Sequence, residues 1–355
     1  MSPRELTLTD PTSAPTFGEG PLSRWCRTAL YDTRDEVFVR LTLRMVVLMS
    51  LAHATLFVIV HRSLVPTWLA LGCYAAMWGW FAPPVILMLH NTMHRPFLRS
   101  RFLGRVHPYA MSFLFGIPTG YQEHHLGMHH VEDNMPSDLS STMRFKRDSF
   151  LHFLVYFARF FFLALPELTR YLVRNRRKTM ARRALVSDLC HQSIVLTALW
   201  IDWRFGLIAF LLPMVTCRFM MMAGNWGQHA FLNTARDNDG VSNAISCINV
   251  GYNRRCFNDG YHVGHHLRAN RHWTELPADF MASREMYARD GALVFEGIDF
   301  FMVSVLLWTR QYRMLARRFV RLGRDMTDDE VVALLRSRVH PVPVWPEHAR
   351  AAAAA

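Results

Sequence analysis

Long apolar runs alternate along this chain with short stretches dense in histidine, and this alternation restricts its folds more than any other feature. Each run that crosses a bilayer moves everything after it to the opposite face. Leu41 to His61 is apolar apart from Arg44, His53, His61 and a few hydroxyls, and it has the ~20 residues that a helix needs to span a hydrocarbon core. Arg24, Arg27, Arg34 and Arg40 precede it, which holds the N-terminus in the cytoplasm. Thr67 to Leu89, with the breaker Pro83-Pro84, brings the chain back and delivers His90 and His94 to the cytoplasmic end. Pro108 to Tyr121 is too short and too broken by Gly116, Pro118 and Gly120 to span. His53 and His61 stand alone and read as membrane-interior polar groups or an interfacial cap.

Three further apolar runs, Phe150 to Pro166, Leu185 to Ile201 and Phe205 to Met222, precede the last histidine stretch. If all three crossed, that stretch would be stranded from the others. Phe150 to Pro166 is flanked by Arg144, Lys146 and Arg147 before it and by seven basic residues from Arg170 to Arg183 after it, and it contains Arg159. Both ends favour the cytoplasm, so it is expected to lie as an interfacial helix. The other two runs, joined at Asp202, make a second hairpin. The expected fold is an all-α integral membrane protein: four transmembrane helices in two hairpins, interfacial amphipathic helices, and a cytoplasmic His-rich metal-binding cap.

The histidines carry the chemistry. On a helix, His262, His265 and His266 sit at i, i+3 and i+4 and leave one face together. His90 and His94 are one helical turn apart, and Glu123 is followed by His124, His125, His129 and His130. On a helix His125 shares a face with His129 while His124 is turned ~100° away, so His125 is preferred and His124 is the alternative ligand. With His229 this makes nine imidazoles, too many for one ion, and points to two metals. Imidazole suits iron, zinc, copper and nickel. Glu123, Glu132, Asp133 and Asp259 lie beside these histidines and are read either as carboxylates that orient the rings or as solvated loop residues. Asn225 either holds a metal-bound water or makes a helix-end hydrogen bond.

Net charge is +12, and only Lys146 and Lys178 among the basic residues are lysines. No zinc-finger spacing or RNA-binding signature accompanies this charge, so nucleic acid is excluded in favour of anionic lipid or an acidic partner. The six cysteines have no paired spacing and read as small core residues in a reducing compartment. Met1 to Pro21 reads as a loose tail, Gly291 to Trp308 as another interfacial amphipathic helix, Thr327 to Arg338 as a short surface helix, and Ala351 to Ala355 as low-complexity sequence. The organisation expected is a cytoplasmic N-terminal tail over 1–40, one membrane domain with the histidines over 41–309, and a basic C-terminal tail over 310–355. Both termini and the metal site then face the cytoplasm, with a bacterial inner membrane as the expected location.

In order and spacing the histidines resemble the three boxes of the membrane fatty-acid desaturases: His90 and His94; His125, His129 and His130; His262, His265 and His266. Asn225 and His229 match the Asn-x3-His element that these proteins carry between the second and third boxes. The resemblance covers roughly Leu41 to Trp273. It implies two irons as cofactor with all nine histidines as ligands, O2 as cosubstrate, and oxidation of a fatty acyl chain lying in a tunnel, most simply to a carbon-carbon double bond. Three residues separate His125 from His129-His130, a spacing also found in the related alkane hydroxylases, so hydroxylation of a lipid, alkane or carotenoid is the alternative. A non-oxidative zinc membrane protein is the third reading. The chain has no His-Pro-Gly-Gly haem motif and no cysteine cluster, so electrons are expected from a separate ferredoxin or cytochrome b5 type donor.

Overall fold

The computed structural model describes residues 6–342, so Met1 to Glu5 and the low-complexity Ala351 to Ala355 lie outside the described residues. The chain is predominantly helical. Five helices among the described residues are long and apolar enough to cross a membrane: Thr33–His61, Thr67–His94, Phe150–Arg174, Lys178–Ile201 and Trp203–Gln228. All outrun the apolar stretches that mark them, because intrahelical hydrogen bonds continue where the side chains turn polar. The segment read as Phe150 to Pro166 passes through Pro166 to Arg174 as one helix of 25 residues, and so qualifies as a fifth candidate by length and composition.

Contacts divide the chain into two units. One comprises Ala14–Gly127 and Leu165–Phe219. The links at the ends of its two helical pairs lie side by side, with His61 Nδ1 3.4 Å from Asp202 Oδ2 and Arg204 donating to the Ser63 hydroxyl over 3.1 Å. Deeper in, His53 Nε2 is 2.8 Å from the Tyr74 hydroxyl, so this lone histidine is a paired polar group of the helix interior. The helix Arg101–Phe115 ends at Gly116, whose φ of 71° and approach to Met214 require glycine; a Cβ there would lie 2.7 Å from the Met214 nitrogen. Cys73 and Cys190 are exposed on their helices, which corrects their reading as core residues; Cys26, Cys217, Cys247 and Cys256 are buried.

The other unit comprises Met1–Ser13, Met128–Ala164 and Met220–Ala355. It contains two strands, Ile245–Ile248 and Leu293–Glu296, paired in parallel with Ile245 opposite Leu293 and Ile248 opposite Glu296. The small parallel pair is an addition to the helical fold expected, and the reading of Gly291 to Trp308 as one amphipathic helix is corrected. That stretch is a buried strand, a turn at Gly297 with φ 72°, and the helix Phe300–Trp308. Asp299, which looked like an interruption, caps this helix by accepting from the Met302 amide over 2.9 Å. A short apolar run suits a buried strand as well as a helix, and only a partner strand decides between them.

Both supposed tails are folded within the described residues. Thr327 and Glu330 form a capping box for the helix Asp328–Ser337. Its Val331 and Leu335 are buried in a cluster with Phe295, Leu315 and Phe319, so it is not merely a surface helix. Arg147, fully buried, donates to the carbonyls of Thr142, Met143, Phe145, Ala230, Arg338 and His340 and joins the C-terminal segment to this core. At the other end, Leu6 and Leu8 pack against a second cluster and Asp10 is buried.

Candidate metal centre

The helix Thr67–His94 ends in its two histidines, and one turn between them puts both rings on one face. His125 joins them within the same unit. Its Nε2 lies 2.8 Å from that of His94, and one ring nitrogen from each of His90, His94 and His125 falls within 4.8 Å of the others. His125 opens a π-helical turn, His125–His129, inserted between the helical turns Tyr121–His124 and His130–Glu132. Such a turn absorbs one extra residue and is frequent at functional sites. It accommodates the three residues that separate His125 from His129-His130.

The second unit supplies the remaining histidines from short elements. His229 follows directly on the helix that ends at Gln228, and His262, His265 and His266 lie on the six-residue helix His262–Leu267, as their spacing predicts. One ring nitrogen from each of His129, His229 and His266 lies within 4.8 Å of the others. His262 Nε2 adjoins them, 3.4 Å from His229 Nε2 and 3.1 Å from His266 Nε2. His130 and His265 face each other with their Nε2 atoms 3.2 Å apart.

What surrounds these rings fixes which nitrogen carries the hydrogen. His129 Nδ1 is 2.7 Å from Asp138 Oδ2, His266 Nδ1 is 2.8 Å from Asp133 Oδ1, and His229 Nδ1 is 2.9 Å from the Asn243 carbonyl. Carboxylate and carbonyl oxygens only accept, so each Nδ1 carries the hydrogen and each Nε2 turns a lone pair inward. Burial together with the neighbouring His266 and His129 pushes His229 down to about 3, keeping it neutral and able to ligate. Asp133 is pushed up by its burial, but the His266 hydrogen bond and charge outweigh this and bring it down to about 2. For His129, burial disfavours the charged form, yet the Asp138 charge prevails and raises it. Ring nitrogens that converge on one point repel one another, and a cation among them turns that repulsion into coordination. The donor set therefore fits a metal, with Asp133 and Asp138 orienting and enriching its ligands.

Asp138 was missed in the sequence. Its Oδ1 accepts from the Ser140 amide and hydroxyl, both over 2.8 Å, in an Asx-turn that aims Oδ2 at His129. An Asp-x-Ser step predicts such a turn but not which way the carboxylate points. Of the other carboxylates singled out, Glu123 is buried and accepts from the Tyr109 hydroxyl over 2.8 Å, Asp259 accepts from the Tyr252 hydroxyl over 2.8 Å, and Glu132 is half-buried. Asn225 donates its amide to the Ser140 carbonyl over 3.0 Å and to the Tyr156 hydroxyl over 2.8 Å. His124 lies on the turn Tyr121–His124, outside the group formed by His90, His94 and His125.

Comparison with curated proteins and with solved structures finds no match. The family model "Fatty acid desaturase" matches residues 66–297, more than half of the chain and including all nine histidines of the candidate centre. Apolar helices of membrane length, histidines grouped as metal ligands and this match agree: the chain belongs to the fatty acid desaturase family, a family of oxidoreductases.

Proposed function

We propose that this protein carries out O2-dependent oxidation of a fatty acyl chain at two irons and introduces a carbon-carbon double bond. The observation that carries this is the orientation of His129, His229 and His266, each with its Nδ1 hydrogen committed to an oxygen and its Nε2 left for a metal. One ion is assigned to these three and to His262, with Asn225 holding a metal-bound water, and a second to His90, His94 and His125; His130 and His265 complete the nine histidines of the proposed ligand set. When bound, the irons supply the oxidising power that cleaves an unactivated C–H bond, which no side chain here offers. The chain's own part is to hold His229 neutral, to orient His266 and His129 through Asp133 and Asp138, and to exclude water from the buried ligands.

Hydroxylation is the second reading, supported by the three-residue spacing that the π-helical turn accommodates. Mass spectrometry of products from acyl substrates decides: loss of two hydrogens is expected, and a gain of one oxygen overturns desaturation. Electrons come from a separate ferredoxin or cytochrome b5 type protein, for which the arginine-rich segments offer complementary charge.

The proposed topology has four crossings, with Phe150–Arg174 in the interface and the histidines on the cytoplasmic face. The adjoining links at His61 and Asp202 support it, since two hairpins of one sense turn on the same side. With native cysteines removed, cysteines placed at Ser149 and Thr179 should react with an impermeant thiol reagent from the cytoplasm, and one at Asp202 only from the far side. Far-side labelling of the Thr179 position would mean that Phe150–Arg174 crosses.

A further inference from the structure

Five residues near the N-terminus are tied to the loop that leads into the His262–Leu267 helix. Asn249 grips the backbone of residues 7–9: its Oδ1 accepts from the Thr9 amide over 2.7 Å and its Nδ2 donates to the Thr7 carbonyl over 2.9 Å. The Pro11 carbonyl accepts from Asn258 over 2.7 Å. Between them Asp10, 7% exposed, uses one oxygen for three donors: the Asn249 amide at 2.7 Å, Asn253 Nδ2 at 3.0 Å and the Tyr261 hydroxyl at 2.7 Å.

These partners prepare the start of the histidine helix. Asn253 Oδ1 accepts from the Gly260 amide over 3.0 Å, and a Cβ at Gly260 would meet the Cys247 carbonyl at 2.1 Å, so this approach to the helix is tightly packed. Tyr261 is the residue on which the helix begins; its carbonyl receives the His265 amide over 3.0 Å, and its side chain makes no capping bond. A helix of six residues has almost no stability of its own. Its position is imposed from outside, and the Tyr261 hydroxyl is fixed by Asp10.

We propose that residues 7–11 form a strap and that Asp10 is a positioning residue for the metal centre, holding Tyr261 and through it His262, His265 and His266 in ligating register. This rests on the metal-centre reading above. The full-length protein in detergent tests it with Asp10→Asn, which keeps the size but loses the carboxylate, and Tyr261→Phe, which removes one of the three contacts. Hydrogen exchange in peptides covering 249–267 and the rate of iron loss to a chelator are followed in both. In Asp10→Asn, exchange there should rise about tenfold with other peptides unchanged, iron should leave about tenfold faster, and Tyr261→Phe should fall between it and the wild type. Unchanged exchange in both variants, or faster exchange with wild-type iron release, overturns the proposal. If Asp10→Asn exchanges faster everywhere, Tyr261→Phe decides alone: loosening confined to 249–267 supports the strap, and none overturns it. Wild-type protein that never holds metal would sink the metal-centre reading instead, while the exchange arm still judges the strap.

Discussion

His90 and His94 are aligned by the repeat of one long helix, whereas His129, His229 and His266 are aligned by oxygens that return from elsewhere in the chain: Asp138, the Asn243 carbonyl and Asp133. The first arrangement is written into local spacing. The second exists only once the unit has folded. The two groups should accordingly respond alike to loss of a ligand and differently to loss of what surrounds it.

The largest effect is expected from the ligands themselves. His94→Ala, His129→Ala, His229→Ala and His265→Ala should each reduce activity to background and lower the iron content without unfolding the helices, because the helices are stabilised by burial in the bilayer. Full activity in two of them would end the two-metal account.

Next comes the choice within the second histidine stretch. His125→Ala should approach background activity, while His124→Ala should keep most of the wild-type rate, since only His125 groups with His90 and His94. The reverse ranking in a turnover assay would reassign the ligand.

A smaller effect, about 10–100-fold weaker metal affinity, is expected from Asp138→Ala and Asp133→Ala, which free Nδ1 of His129 and His266 while leaving both rings in place. Elemental analysis across a chelator series should show one iron leaving before the other. Simultaneous loss of both ions would erase the distinction between the two groups.

The smallest effect falls on Tyr156→Phe. Its hydroxyl donates to the Ser140 carbonyl over 3.1 Å and accepts from Asn225 over 2.8 Å, so its removal should cost about 1 kcal/mol and lower the rate a few-fold. A loss as large as that of a histidine variant would make the tyrosine part of the centre.

The same division explains what could be read from the sequence. The His262, His265 and His266 helix and the membrane-length helices follow from periodicity and apolar length, which act over neighbouring residues. Asp133 was reachable because it lies three residues from His130 and beside the stretch it serves. Asp138, the Asn243 carbonyl and Asp10 were not, because their partners are set by tertiary return and no spacing rule encodes it. The strand Leu293–Glu296 hid inside an apolar run for the same reason: its partner, Ile245–Ile248, lies some fifty residues upstream. Thr327 and Glu330, by contrast, announce their helix locally.

Arg147 also sets an order of events. Its guanidinium is satisfied by six carbonyls, two of which, those of Arg338 and His340, lie 191 and 193 residues further along the chain. A buried cation lacking part of its acceptors is strongly disfavoured. The unit that carries His129 and His229 therefore cannot close until those residues have been synthesised, while the membrane helices emerge ahead of it. Completion of this unit is a late step, one that waits for a segment supplying none of the grouped histidines.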